Sequence, residues 1–499
     1  MNKVLVLGAV FLLFVTDLRQ ASKSFPSYSY LFQLDQTTRT DIKKKRSVHT
    51  AASLLEDFHF VNSTLDILLE DYQNSTSPVK DLLKVYVYDN LPYNLSGELE
   101  EFMTSHPNSN FVGDRVLFQL FRSFPGRTYN ADEADIFVVP YAHRAHCAYA
   151  EGYLPWCKHL PYHHAKTAVF SHLKYHNAST AHRHLFFLAD GQWQAHKWIV
   201  QQPLVAMYGN KWLSSPPGHI LIPPFNPSVQ FQPSMVTERL RPQQQQQNSA
   251  ISQQPSKNKN YSLTMVAGFW NPRMRWKSAR RYRKYFLDAL KKGNPEGMIG
   301  GMPYIASGDT KVFAHEQQQT YPNTTLGELL YGKYYPQSIV CPVLPGDCAW
   351  QRRFFDVMGM GCLPMVVSYP MDMVRFNATT GGGNRTSWYV PNQQGTFNVA
   401  LEENYPYVDS IDYRSFTVEC PCNVTNPDNM VHVVPECLEP FLNNTAAIRQ
   451  KQEALRNEVI KLMYGLGPDA HRYEDAFAQL IRQLRRYLDD YNDSKAGNK

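Results

Sequence analysis

Two arginines and an aspartate within five positions are the residues of this sequence best suited to bind a charged ligand. Arg352, Arg353 and Asp356 occur in GDCAWQRRFFDVMGMGCLPMVVS, residues 346–368, between two short apolar runs. The segment predicts a loop, a short helix and a strand, and the unpaired N–H groups of a helix start attract anions. A guanidinium binds phosphate oxygens, and a carboxylate accepts hydrogen bonds from a ribose diol. The spacing therefore indicates a pocket for a nucleoside diphosphate, with an ordinary Arg–Asp surface ion pair as the alternative.

Strands that alternate with helices surround this segment and must position it. Apolar runs bounded by turn residues predict strands at 84–92, 134–142, 184–191, 219–225, 261–269, 338–346 and 362–368. A basic helix is predicted at 277–293. This alternation is typical of parallel sheets, which bind ligands at the carboxyl ends of their strands. We therefore predict an α/β fold with two Rossmann-like domains facing a cleft.

The same patterns divide the chain into six predicted parts. They are a signal anchor or signal peptide (1–20), a stem or spacer (21–80), a first Rossmann-like domain (81–240), a Gln-rich disordered insertion or linker (241–260), a second Rossmann-like domain (261–445) and C-terminal helices (446–499). Apolar residues at spacings of three and four from Phe477 to Tyr491 predict a helical face that packs on a domain.

The N-terminus and the sequons indicate the secretory route. An apolar run at 4–16 follows Lys3. This run is shorter than a typical membrane-spanning helix, but its length suits the core of a signal peptide. No small-x-small cleavage site follows it, so cleavage and anchoring both stay open. Eleven Asn-x-Ser/Thr sequons and eight cysteines fit a glycosylated chain with disulfides.

A second group of reactive side chains lies in HRAHCAYAEGYLPWCKHLPYHH, residues 143–164. His143, His146, Cys147 and Cys157 are all zinc-ligand types. In an oxidising compartment we favour a Cys147–Cys157 disulfide in a loop on the acceptor side, and we predict no metal site.

Four of the other cysteines are assigned more simply. Cys420, Cys422 and Cys437 form a cluster whose connectivity cannot be read from the sequence. Cys362 follows a glycine at a helix-to-strand junction, and we predict that it is a small buried residue.

The segment SIVCPVLPGDCAWQRRFFDVMGMGCLPMVVS resembles the signature of the exostosin family of glycosyltransferases. That signature consists of a Ser-x-x-Cys strand, a Pro-Gly-Asp loop, an Arg-x-x-(Glu/Asp) helix and Gly-Cys-x-Pro. Other segments are similar to family elements in the same order: KVYVYDNLP, RTYNADEADIFVVPYAH, HILIPPFNPS, MVAGFWNPRMRWKSARRY and DSIDYRSFTVEC. The resemblance covers residues 82–425.

The resemblance implies a GT-B enzyme whose C-terminal domain holds a nucleotide sugar and whose N-terminal domain holds the acceptor. Family members invert the anomeric centre and are not built around a metal-binding Asp-x-Asp. Arg353 matches the motif arginine, a diphosphate ligand, and Asp356 matches the acidic residue, a ribose ligand. Arg280 matches the arginine of the Ser-x-Arg helix, a further phosphate ligand. Tyr369 stands where members have Asp, which affects the expected contacts to the sugar.

An inverting transfer also needs a general base for the acceptor hydroxyl. Asp190, in FLADGQW at the end of a first-domain strand, is the candidate. An Asp-Gly pair that forms a turn is the simpler explanation of the same residue.

Together these observations predict an inverting, metal-independent glycosyltransferase that transfers a sugar from a UDP-sugar to a glycan or polysaccharide acceptor, with no cofactor. We expect a type II Golgi membrane protein with a lumenal catalytic domain, or a secreted protein if the signal is cleaved. The alternative is a non-catalytic glycan-binding protein on the same fold. Because the net charge of +6 is thinly spread, nucleic acid is not an expected partner. The chain contains no Gly-x-Ser-x-Gly elbow, which argues against an α/β hydrolase.

Overall fold

A computed structural model describes most of the region predicted to fold. The described residues are 83–89, 91, 112–143, 162–188, 197–208, 218–225, 259–266, 277–322, 324–344, 352–368, 405–421, 432–465 and 474–497. The chain divides into two compact units, residues 1–60 and 61–499, and every described residue belongs to the second unit. The predicted signal segment, the stem and residues 241–258 of the Gln-rich insertion lie outside the described residues.

The N-terminal lobe is built on a parallel sheet of six strands in the order β2-β1-β3-β4-β5-β6. The strands are β1 (Val85–Val87), β2 (Arg127–Thr128), β3 (Ile136–Val138), β4 (His184–Leu188), β5 (Leu204–Met207) and β6 (Gly218–Leu221). Strands β3 to β6 are buried along their whole length, as expected for strands covered on both faces.

Helices cover both faces of this sheet. They are α1 (Val112–Arg122), α2 (Tyr162–His172) and α3 (Lys197–Val200), with short 3-10 helices at Ala131–Glu133 and Ala181–Arg183. The rings of Phe118 and Phe121 on α1 pack edge-on against Phe187 of β4, at 5.2 and 5.9 Å between centroids. This packing fixes α1 on one face of the sheet.

The C-terminal lobe is built on a second six-stranded sheet, ordered β12-β11-β10-β7-β9-β8. The strands are β7 (Tyr261–Val266), β8 (Met298–Ile299), β9 (Met302–Ser307), β10 (Ser338–Pro342), β11 (Leu363–Ser368) and β12 (Val418–Pro421). All pairings are parallel except β8 with β9, a hairpin at one edge. Its turn residues Gly300 and Gly301 both have positive φ, a conformation that suits glycine.

The helices of the second half follow in chain order. They are α4 (Lys277–Gly293), α5 (Thr310–Thr320), α6 (Leu326–Leu329), α7 (Arg352–Gly359), α8 (Tyr413–Phe416), α9 (Glu439–Leu442), α10 (Thr445–Glu458) and α11 (Ala476–Gly497). Two π-helical turns, Leu330–Tyr334 and Val434–Leu438, and the 3-10 helix Val459–Leu462 complete the described elements. The basic helix predicted at 277–293 is confirmed with the same bounds. In the described part of the chain, none of the helices combines the length and the apolar character that a membrane crossing would need.

The last helix returns to the N-terminal lobe. The apolar face predicted between Phe477 and Tyr491 is buried at Phe477, Leu480, Leu484 and Leu488. The ring of Phe477 packs on Phe121, 4.8 Å away, and the Tyr464 hydroxyl donates to the carbonyl of Pro223 at 2.9 Å. The two sheets and these crossing contacts confirm the predicted α/β GT-B fold of two Rossmann-like lobes with a helical C-terminus.

Two disulfides are present among the described residues, Cys341–Cys362 and Cys420–Cys437. The prediction that Cys362 is only a small buried residue is wrong. It is fully buried, but it is bonded to Cys341, because the parallel neighbours β10 and β11 bring the two Cα atoms within 5.9 Å. Cys147, Cys157 and Cys422 lie outside the described residues.

Candidate functional site

Helix α7 begins at the carboxyl edge of the second sheet. It lies between β10 and β11, which are parallel neighbours, so α7 must run back from the carboxyl edge to the amino edge. Strand β10 also pairs with β7, and α4 follows β7 in the chain. The first turns of α4 and α7 therefore lie at the same edge, where open α/β sheets bind ligands.

A glycine ends α7 and returns the chain to the sheet. Gly361 has φ +71, its N–H donates to Met358 at 2.8 Å, and the N–H of Cys362 donates to Val357 at 3.0 Å. These paired bonds form a Schellman motif, which requires a left-handed residue. Lys259 further donates its Nζ to the carbonyl of Gly361 at 2.8 Å. The Gly-Cys pair of the sequence is thus a helix stop followed by a crosslink.

The Cys341–Cys362 disulfide ties together the two strands that flank α7. Cys341 lies in β10 and Cys362 lies directly before β11, 21 positions later. Closing a loop of this length stabilises a folded chain by about 3 kcal/mol in the chain-entropy account. The crosslink fixes the C-terminal end of α7, next to Cys362, against β10.

Asp356 is a buried carboxylate whose polar partners include Arg352 and Tyr331. Its side chain is 7% exposed, and its Oδ2 lies 3.5 Å from Nε of Arg352, four residues earlier. The hydroxyl of Tyr331 donates to the same Oδ2 at 2.8 Å. A buried carboxylate needs such partners, because desolvation without them is costly.

Arg352 remains charged in this environment. Burial disfavours the charged guanidinium, but Asp356 and Tyr331 outweigh burial and raise the pKa of Arg352 above its ordinary value. Its side chain is 30% exposed, so part of the guanidinium still faces solvent. The ion pair considered from the sequence therefore exists, but it joins Asp356 to Arg352, and its acidic partner is buried.

Arg353 lies on another side of the same turn. Its half-buried side chain is close to Tyr335. Burial raises the pKa of the Tyr335 hydroxyl, whereas the positive charge of Arg353 lowers it. Within the described ranges, Arg353 has no carboxylate at ion-pair distance. Its charge can therefore serve an anionic ligand more fully than that of Arg352.

Arg280 lies in the first turn of α4, at the same sheet edge as the start of α7. Its side chain is outside the described part of the structure. Arg283, three residues later on the same helix, reaches the carbonyl of Leu344 with its Nη2 at 3.5 Å. The Arg283 side chain therefore points toward the end of β10. Sequence reasoning missed Arg283, although its i+3 spacing from Arg280 was a usable signal.

Two buried polar groups of the N-terminal lobe lie near the carboxyl edge of the second sheet. Tyr208 directly follows β5, and Asp114 lies in the first turn of α1. Burial first, and then the charge of Asp114, raise the pKa of the Tyr208 hydroxyl, whereas Arg352 lowers it. The start of α7 is therefore close to the N-terminal lobe.

The other predicted site residues lie largely outside the described ranges. Asp190 follows Leu188, the last residue of β4, by two positions, and it is not among the described residues. Of the possible zinc ligands, only His143 is described. It is buried beside Trp198, at 5.7 Å between ring centroids, with Nδ1 3.4 Å from the Tyr141 hydroxyl. In the described portion, no group of three or more His, Cys, Asp or Glu is placed to bind a metal.

Tyr331 and the Cys341–Cys362 bond are the site features that sequence reasoning missed. Tyr331 precedes Asp356 by 25 positions and carries no local pattern that marks it. Both cysteines stand in quoted motifs, but their pairing depends on the register of β10 with β11.

Comparison with known proteins supports the motif resemblance. The family model described as the Exostosin GT47 domain matches residues 80–425, a range that contains both sheets and α7. A search among curated proteins finds no match. The family match covers more than half of the chain, and it confirms the resemblance stated from the sequence.

Proposed function

The chain belongs to the exostosin GT47 family of glycosyltransferases, and on that basis we propose that it transfers a sugar from a UDP-sugar to a glycan or polysaccharide acceptor. One observation supports a nucleotide sugar as the donor. A buried carboxylate, Asp356, is fixed by Arg352 and Tyr331, and Arg353 lies in the same first turn of α7, at the edge of the sheet that binds ligands. This combination suits the diol and the diphosphate of a nucleotide sugar.

The diphosphate is bound at the first turn of α7. Helix N–H groups and Arg353 contact its oxygens, and Arg352 and Arg280 add positive charge at the same edge. As the bond to the sugar breaks, negative charge develops on the leaving UDP. Fixed cations and amides stabilise that charge without having to reorganise, so a metal ion is not required.

The transfer inverts the anomeric centre in a single displacement. Asp190 accepts the proton of the acceptor hydroxyl, the oxygen forms its bond to the anomeric carbon, and the bond from that carbon to the UDP oxygen breaks. The sequence position of Asp190, two residues after the last residue of β4, supports this role, because α/β sheets bind ligands where their strands end. The acceptor then binds on the N-terminal lobe.

We place the enzyme in the secretory pathway, as a type II Golgi membrane protein with a lumenal catalytic domain or as a secreted protein after signal cleavage. The disulfides Cys341–Cys362 and Cys420–Cys437 support an oxidising compartment. The sequon at Asn177 lies in an exposed turn, where a glycan can be carried.

The test is a panel of nucleotide sugars, assayed for transfer and for slow hydrolysis with EDTA present. We expect turnover with one or more UDP-sugars and none with nucleotide sugars that lack the diphosphate. Binding of glycans without turnover of any donor would instead support the non-catalytic glycan-binding alternative. Activity that disappears in EDTA and returns with a divalent cation would refute metal independence.

A further inference from the structure

Tyr331 lies on an unusual and well-fixed turn. Helix α6 begins with a capping box, in which Thr325 and Glu328 satisfy each other's backbone N–H groups. It continues into the π-helical turn Leu330–Tyr334, which closes with the N–H of Tyr335 donating to Leu330 at 2.9 Å. Single π turns occur often at functional sites. This one directs a tyrosine side chain toward the start of α7.

The Tyr331 hydroxyl interacts with the carboxylate of Asp356 and also with the side chain of Arg352. It donates to Oδ2 at 2.8 Å, a bond of the charge-assisted type. Burial, and next the charge of Asp356, raise the pKa of this hydroxyl, so it remains a protonated donor at every physiological pH. The ring of Tyr335 packs edge-on against Tyr331 at 5.6 Å, which limits its rotation.

Arg352 competes for the same carboxylate oxygen. Its Nε lies 3.5 Å from Oδ2, which is longer than a direct hydrogen bond. Without the tyrosine donor, the carboxylate would turn toward the guanidinium and close that gap. Such a movement would misplace the Asp356 carboxylate for the ribose diol.

We propose that Tyr331 is a positioning residue for nucleotide recognition, which holds the Asp356 carboxylate in the orientation that receives the ribose diol. This assignment rests on the proposed function, because it presumes that Asp356 binds ribose. Tyr331 itself need not contact the nucleotide. Its effect is confined to ligands that carry the diol, and this distinguishes positioning from a general contribution to folding.

The experiment uses two ligands and two matched variants of the full chain. Calorimetry measures the affinities of UDP and of 2′,3′-dideoxy-UDP for the wild type, Tyr331→Phe and Tyr334→Phe. Tyr334 belongs to the same π turn, and its hydroxyl donates to Gln317 instead of to α7. We expect Tyr331→Phe to weaken UDP about tenfold, the value of one charge-assisted hydrogen bond, and to leave the dideoxy ligand within about twofold. Tyr334→Phe should leave both affinities unchanged.

The outcomes separate this assignment from the proposed function. If the wild type binds UDP and Tyr331→Phe weakens both ligands equally, or neither, the positioning role is overturned. If the wild type binds no UDP, the proposed function fails, and the assignment fails with it. Asp356→Asn gives a second measurement, because Tyr331→Phe added to it should cause no further loss of UDP affinity. If the losses of UDP affinity in the two single variants add up in the double variant, the assignment is overturned. This comparison holds even if one of the single variants folds poorly.

Discussion

The guanidinium of Arg352 and the carboxylate of Asp356 are paired one helical turn apart on α7, with 3.5 Å between Nε and Oδ2. This pairing gives the two consecutive arginines different tasks. Arg352 helps to hold the ribose-binding carboxylate, whereas Arg353 has no carboxylate partner among the described residues. The diphosphate role falls chiefly on Arg353.

Arg353→Ala should therefore abolish transfer without unfolding the chain. Loss of one fixed cation at the leaving group lowers kcat/KM by about two to three orders of magnitude. Steady-state kinetics with the identified donor measures the loss, and the thermal midpoint should move by only a few degrees. Arg449→Ala, on an exposed position of α10, is the control and should retain full activity. Near-normal turnover of Arg353→Ala would remove the phosphate role from this residue.

Asp190→Asn should separate the chemical step from donor binding. If Asp190 accepts the hydroxyl proton, the amide variant loses about two to four orders of magnitude in kcat. UDP affinity, measured by calorimetry, should be unchanged because the donor binds on the C-terminal lobe. A variant with unaltered kcat would identify Asp190 as the turn residue that the Asp-Gly sequence also allows.

Removal of the Cys341–Cys362 disulfide should weaken both the fold and the donor site. We expect the double change Cys341→Ala and Cys362→Ala to lower the free energy of unfolding by about 3 kcal/mol. UDP affinity should fall as well, since Cys362 no longer fixes the C-terminal end of α7 against β10. Urea denaturation and calorimetry measure the two effects.

The second disulfide is a matched control for this prediction. Cys420–Cys437 closes a similar loop of 17 positions and joins β12 to the π turn Val434–Leu438. Its removal should reduce stability comparably but leave UDP affinity unchanged. Equal losses of UDP affinity in both double variants would contradict a specific role for the Cys341–Cys362 bond.

Two buried groups make opposite contributions to the pH dependence of stability. Burial lowers the pKa of His184 to about 4 from 6.5, and its Nδ1 donates to the Thr180 carbonyl in the neutral form. Burial raises the pKa of Asp475 to about 6 from 3.8, against the bonds it accepts from Gly465 and Ala478. The stability linked to His184 is complete above pH 6.5 and is lost as the pH falls toward 4. The stability linked to Asp475 is complete below pH 3.8 and is lost as the pH rises through 6.

The two contributions nearly cancel between pH 4 and 6, since each is about 3 kcal/mol. Asp475→Asn removes the acid but keeps a side-chain acceptor before α11. Its free energy of unfolding should then rise by about 3 kcal/mol between pH 4 and 6.5, more steeply than that of the wild type. Urea denaturation across this range measures both slopes. Parallel slopes in the two proteins would show that the pKa of Asp475 is not raised.

Seven of the twelve described strands were predictable, because buried parallel strands appear in the sequence as continuous apolar runs. The sequence patterns did not predict β2, β5, β8, β9 and β12. The lengths of the strands were less predictable than their presence. The run 134–142 predicted one strand, but β3 ends at Val138, because the N–H of Tyr141 donates to Val139 and turns the chain while its side chains stay buried. Apolar character reports burial, and here it does not distinguish the strand from the buried turn after it.

The candidate site was predictable only where its residues are neighbours in the sequence. Arg352, Arg353 and Asp356 share one helix, so their spacing indicated a common site. The contact of Tyr331 with Asp356 depends on how the π turn packs beside α7. The Cys341–Cys362 bond depends on the register of two strands. Both are products of tertiary packing, which no local pattern in the sequence expresses.

Calorimetric titration of the full chain with UDP and with uridine, in EDTA, tests the central claim most directly. We expect saturable binding of one UDP per chain, at least about tenfold tighter than uridine because the diphosphate binds at the start of α7. Absence of UDP binding at millimolar concentration, or equal affinity for uridine and UDP, would contradict it.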